Sequence, residues 1–272
     1  MDKLNIAVCL RGHMRTYTQA FSYIKELESN HNIDVFIDTW EDYGLLNLTT
    51  ESSITTPGTV DLNSGLIDLK AVINTYNPKV LKVDHYQNFH HLFESQASKF
   101  SDWYEEVKHD PTVGVPRMHS FISQFYKKAS VINNAIKFAK DNNKSYDVYI
   151  VTRPDVLLNI DDTIFKSVRD SVNSVWVRSI VETIKQTKAN WTCDLFFVGT
   201  SSSIKTLATI YDSIESIRSD LYSEWKSTQD KSTYARMFCI HQLCWYYLNS
   251  KGISIKQDSK LSATITGRKK YT

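Results

Sequence analysis

Arg153-Pro154-Asp155 places side by side the two charged side chains best suited to a diphosphate. A guanidinium meets phosphate oxygens bidentately, and a carboxylate can hold a divalent cation, Mn²⁺ or Mg²⁺, that bridges two phosphates. The proline between them fixes its own φ and restricts Arg153, so both side chains sit in an extended turn rather than a flexible loop. The same two residues can instead close on each other as a structural ion pair, and the sequence leaves both readings open. Arg11-Gly12-His13-Met14-Arg15 is a second such stretch. Gly12 permits close approach of a ligand, and Arg15 falls in the first turn of an expected helix, beside free N–H groups. The alternative there is an ordinary strand-to-helix turn with surface arginines.

Two further groups could act on a proton. Asp194 opens an apolar strand, and His241 lies in the aromatic run FCIHQLCWYYL. Each also has a plain reading, as an edge carboxylate and as a core histidine whose hydrogen bonds are satisfied. His90, His91 and His109 lack metal-type spacing and read as surface residues. The chain contains no GxGxxG, P-loop, GxSxG or HExxH, so dinucleotide-binding, P-loop NTPase, serine hydrolase and zincin chemistries lose their usual support.

These residues need a scaffold, and the apolar pattern supplies one. Leu4–Leu10 reads as a strand, Tyr17 through Leu27 as a helix, and Ile33–Ile37 as a second strand, which together form a βαβ unit. Tyr43–Gly65 is rich in Thr, Ser, Asn and Gly and reads as a loop. A helix over Leu66–Tyr76 and a strand over Lys79–Val83 follow. Gln87–Pro116 reads as an irregular excursion with partial helix, and Arg117–Asn143 as the longest helix. Tyr146–Leu158, YDVYIVTRPDVLL, reads as a central parallel strand buried on both faces. Strands at Ser174–Val177, Asp194–Val198 and Ile253–Ile255 and helices over Ser201–Arg218 and Tyr234–Leu248 complete the pattern. In open sheets of this kind ligands bind beyond the carboxyl ends of the strands, which selects Arg11–Arg15, Asp38–Asp42, Arg153–Asp155 and Gly199–Ser203. No repeat or linker divides the chain, so a single domain over 1–272 is expected, with an irregular insertion around 85–116.

The chain of 272 residues is 42% hydrophobic and 23% charged, enough to bury a core. Its formal charge of +2 argues against a strongly polyanion-directed surface, and Arg268-Lys269-Lys270 reads as a solvated tail. The four cysteines form no CxxC and three sit in apolar runs, as reduced core residues of a cytoplasmic protein would. The apolar run before Arg11 is too short for a signal peptide, and no stretch is long enough to span a membrane.

Six short motifs, taken in order, resemble the GT-A-like glycosyltransferases of bacterial and viral surface-glycan clusters. LRGHMRTY corresponds to their SGQPRTF turn and keeps Gly12, Arg15 and Thr16. DVFIDTW (Asp34–Trp40) corresponds to DVFIHTW, with Asp38 in place of the histidine. SQFYKKASVINN (Ser123–Asn134) and YDVYIVTRPDV match the start of the long helix and the RTRPDL strand. DLFFVGT (Asp194–Thr200) and HQLCWYYLNSKGI (His241–Ile253) complete the series, which runs from residue 4 to about 255.

The resemblance implies a GT-A-like (Rossmann-like), mostly parallel α/β sheet and a nucleotide-sugar donor, with a UDP-sugar favoured. In such enzymes a DxD motif holds Mn²⁺ or Mg²⁺ on the donor diphosphate. Here Arg153 stands at the first acidic position, so only Asp155 carries over as a metal ligand, and Arg153 can neutralise the diphosphate instead. Gly12, Arg15, Arg153 and Asp155 are thereby the donor-binding candidates. Asp194 aligns with a family carboxylate and His241 stands in a glutamate position, which makes them the catalytic candidates. The family context implies a surface-glycan acceptor. Hydroxymethylated cytosine in DNA, the acceptor of phage-type enzymes, and a non-catalytic sugar-nucleotide or glycan-binding module are the alternatives.

Overall fold

The computed structural model describes residues 3–14, 16–42, 65–99, 118–178, 195–228, 240–258 and 260–265. β1 (Asn5–Gly12) is buried from Ile6 through Arg11, and its parallel neighbour β2 (Asn32–Trp40) is buried from Asp34 through Trp40. Alternate residues serve opposite faces. Ala7, Cys9 and Phe36 enter one hydrophobic cluster, while Ile6, Val8, Leu10, Val35 and Ile37 enter the other. A strand covered on both sides therefore reads as a near-continuous apolar run. β3 (Val80–Asp84) pairs parallel to β2, and β4 (Val148–Thr152), entirely buried, pairs parallel to β1.

Beyond β4 the direction reverses. β7 (Phe196–Gly199) is antiparallel to β4 and to β6 (Ser174–Arg178), and β8 (Ser254–Asp258) is parallel to β6. The sheet order is β3-β2-β1-β4-β7-β6-β8, a seven-stranded, mostly parallel mixed sheet flanked by helices. β5 (Val156–Ile160) and β9 (Leu261–Ile265) form a separate antiparallel pair. The expected α/β architecture is present, and strands drawn from residue 5 to residue 258 share the one large sheet.

One face carries α1 (Tyr17–Ala20), α2 (Ser22–Asn30), α3 (Leu69–Tyr76), α6 (Thr163–Asp170) and the β5–β9 pair, through Ile24, Val72, Phe165 and Leu158 among others. The other face carries α4 (Tyr86–Ser98), α5 (Met118–Asp141), α7 (Ser201–Ala208), α8 (Ile214–Thr228) and α9 (Ile240–Ser250). α5 lies across β1, β2 and β3. Asp68 caps α3 by accepting from the Ala71 amide at 3.0 Å, and Asn77 closes it in the left-handed region at φ 42°.

Several boundaries differ from the sequence expectation. Tyr146–Leu158 is two strands in two sheets, because Pro154 has no N–H to continue the ladder. Arg153 O accepts from Val156 N at 3.2 Å, with proline at the second position of that turn. The helix expected from Tyr17 to Leu27 breaks at Phe21 into α1 and α2, and that expected over Ser201–Arg218 breaks after Ala208. The excursion after Gln87 opens as a regular helix, since Tyr86, Phe89 and Phe93 fall on one side of α4 and pack on Trp40. Residues 100–117 lie outside the described residues. No described helix is long and apolar enough to cross a membrane. Cys9 and Cys244 are buried and form no disulfide among the described residues, and burial pushes the Cys9 thiol far above its ordinary pKa, as for a packing residue.

Candidate active site

The four parallel strands β3, β2, β1 and β4 end on the same edge, and the polar motif residues collect there. β1 and β4 are neighbours with Leu10 opposite Thr152, so the Gly12 turn and the Arg153–Val156 turn leave the sheet side by side. Gly12 has φ +96°, a conformation that L side chains rarely adopt, and this is the physical demand behind the glycine. Arg15 lies outside the described residues. The helix that follows, α1, has four residues, too few aligned amides to make the N-terminal anion site expected there.

Arg153 and Asp155 meet each other. Arg153 Nε donates to Asp155 Oδ1 at 2.9 Å and Nη2 to Oδ2 at 2.7 Å, with Asp155 buried and Arg153 partly exposed. This bidentate fork orients the guanidinium and engages both carboxylate oxygens. A divalent cation on Asp155 would have to displace Arg153 from both. Among the described residues no cluster of three or more His, Cys, Asp or Glu side chains has metal-binding geometry. As arranged here both Asp155 oxygens are engaged by Arg153, and the phosphate chemistry on offer at this turn is that of the guanidinium. Asp194 lies outside the described residues, as does the side chain of His241, although α9 carries its backbone.

The sequence placed Arg11 and Asp38 just beyond their strands. Both are instead inside them, in register with each other and buried on the α5 face. Under this edge lies a charged cluster that the sequence reading missed. Lys127 of α5, 1% exposed, donates to Asp38 Oδ1 at 2.5 Å, to Asp84 Oδ2 at 2.8 Å and to the Thr39 carbonyl at 2.7 Å. Its ammonium also sits 3.9 Å from the centroid of the Trp40 ring. Lys82 joins from β3, 3.0 Å from Asp84 Oδ2 and hydrogen-bonded to Tyr126 Oη and Ser130 Oγ at 3.0 Å each. Lys128, also buried, lies with its ammonium 4.5 Å from the Phe197 ring centroid.

Burial pulls the Lys127 ammonium below its ordinary pKa against the opposing pull of Asp38 and Asp84. Lys82 is raised: burial works against its charge, but the Tyr126 hydrogen bond and the Asp38 and Asp84 charges prevail. Asp84 is lowered, because Lys127 and Lys82 outweigh its own desolvation. A usable signal for Lys127 and Lys128 was present in SQFYKKASVINN, where two charges interrupt the apolar stripe between Phe125 and Ile132. A buried charge is more informative than an exposed apolar residue.

β2 runs on into Glu41 and Asp42, and Asp42 reaches back to the β1 turn. His13 Nδ1 lies 3.0 Å from Asp42 Oδ1 and 3.2 Å from the Asp42 carbonyl. Glu41 contacts His85, at the start of α4. The edge thus presents a glycine turn, an oriented arginine and a histidine–aspartate pair over a braced lysine. No family model, curated protein or solved structure matches the chain.

Proposed function

We propose that the protein is a glycosyltransferase that moves a sugar from a nucleotide-sugar donor, a UDP-sugar by preference, to a hydroxyl acceptor on a surface glycan. The observation that carries this reading is the convergence of the Gly12 and Arg153–Asp155 turns at the carboxyl ends of two adjacent central parallel strands. In an open α/β sheet that edge is where a nucleotide binds. The order of the six motifs along the chain supports the same reading.

In this scheme Gly12 lets the donor approach the backbone, and Arg153 meets the diphosphate and stabilises its charge as it leaves. Asp155 holds the guanidinium in place, which makes it a positioning residue rather than a metal ligand. Arg15 is the second phosphate-binding candidate. Asp194 and His241 are the sequence-derived candidates for the acceptor side.

The test is release of nucleoside diphosphate from a panel of UDP- and GDP-sugars, with and without Mn²⁺. Turnover is expected, and Asp155→Ala should lower it about 100-fold by releasing Arg153 from its geometry. Unchanged turnover in that variant would sink the site assignment. Binding of sugar nucleotides without turnover of any would identify a binding module instead. Offering the active protein a glycan or a hydroxymethylcytosine-containing duplex then decides the acceptor.

A further inference from the structure

The His13–Asp42 pair has a defined protonation pattern. The Asp42 carbonyl can only accept a hydrogen bond, and so can its carboxylate when ionised. Both lie within hydrogen-bond distance of His13 Nδ1, at 3.2 and 3.0 Å. Nδ1 must therefore carry the proton, and in the neutral ring the lone pair falls on Nε2. No described residue bonds to Nε2, and the His13 and Asp42 side chains are 24% and 19% exposed. The ring is wedged near Trp40, their centroids 6.5 Å apart. Trp40 is in turn held by Lys127 and by the aromatic side of α4. His13 directly follows Gly12, whose φ of +96° turns the chain at the end of β1. The result is an imidazole with a set tautomer and a partner for its positive charge, next to the turn that meets the donor. A general base needs those features.

We infer that His13 is the general base of the transfer and Asp42 its positioning residue. The inference rests on the nucleotide-sugar reading above. The acceptor O–H proton passes to His13 Nε2 as the acceptor oxygen bonds to the anomeric carbon. The bond from that carbon to the diphosphate oxygen breaks, and its electron pair leaves with the nucleoside diphosphate. Asp42 stabilises the imidazolium until the proton passes to solvent. Direct displacement of this kind inverts the anomeric configuration.

The experiment follows hydrolysis of UDP-glucose, UDP-galactose and GDP-mannose by the full chain, with water as acceptor, in wild type, His13→Ala, His13→Gln and Asp42→Asn. Circular dichroism checks that each variant is folded, and His13→Gln stands in if His13→Ala is not. Loss of the base should lower hydrolysis by about 10²–10⁴-fold. Sodium azide, a nucleophile with no proton to lose, should restore turnover in the His13 variants and yield a glycosyl azide of inverted configuration. A merely structural histidine would give no such rescue. Asp42→Asn should lose less and be rescued likewise. Undiminished hydrolysis by folded His13 variants, or a product of retained configuration, would overturn the inference while leaving the glycosyltransferase reading intact. A wild type that neither binds nor turns over any sugar nucleotide removes both. Nitrogen-15 histidine spectra give a readout independent of turnover: Nδ1 protonated and Nε2 bare in wild type, assigned by loss of the signals in His13→Gln. The opposite tautomer overturns the inference whatever the activity.

Discussion

β2 carries two buried aspartates on the same face, Asp34 near its amino end and Asp38 near its carboxyl end, and the two ends are built differently. Asp34 is held by Lys144, by Tyr146 Oη at 2.5 Å and, more loosely, by Lys79 at 3.8 Å. Both of those lysines keep more than a third of their side-chain surface exposed, and they belong to the connections that lead into β3 and β4. Asp38 is held by Lys127, which is buried and comes from the middle of α5. The amino end is a latch that closes the sheet against its connections. The carboxyl end is a brace that ties the long helix to the strand beneath Trp40, Asp42 and His13. One strand can thus serve stability at one end and a site at the other, according to whether its charged partner comes from the surface or from the core.

Variants that strain this comparison are ordered here by expected effect. Lys127→Met removes the buried partner of Asp38, leaving it only Lys82 at 3.6 Å, and should cost about 3–5 kcal/mol in urea unfolding. It should also lower sugar-nucleotide turnover, since Trp40 and the His13–Asp42 pair lie above it. Asp34→Asn weakens hydrogen bonds that involve charged groups and should cost about 1.5–3 kcal/mol with turnover retained by the folded fraction. Equal loss of turnover in both variants would erase the distinction between latch and brace.

A third variant reads the brace through pH. The Asp84 pKa is lowered in the folded protein from an ordinary value of 3.8, by Lys127 and Lys82 against its own desolvation. Its contribution is therefore complete above that value and is lost as pH falls through the lower, folded one. Asp84→Asn should flatten the acid limb of a stability-against-pH curve in that window, and an unaltered limb would show that Asp84 carries no such linkage. The smallest effect belongs to the latch. Lys144→Ala removes a partly exposed ion pair and should shift stability by about 0.5 kcal/mol, less in high salt.

The sequence made the parallel half of the sheet readable, because a strand buried on both faces must be apolar nearly throughout. β1, β2 and β4 could be located on that basis, and the partly exposed edge strand β3 from its short apolar run after Pro78, together with the edge where their motifs end. It also marked Gly12 and Pro154 as turning points, since φ +96° and a missing N–H are properties of single residues. The antiparallel half was less legible. Strand direction is set by the partner, and β5 pairs with β9 across about a hundred residues of chain.

The site divides in the same way. Residue type alone singled out Arg153 and Asp155, but only the fold turned them toward each other as a bidentate fork. Lys127 was visible as a charge in an apolar stripe, whereas its carboxylate partners come from β2 and β3. His13 and Asp42 stand 29 residues apart, and no local pattern joins them. Periodicity and turn chemistry are properties of neighbouring residues and can be read along a chain. Charge pairing, a histidine tautomer and the burial of a lysine depend on groups that meet across strands, and the tertiary structure alone decides them.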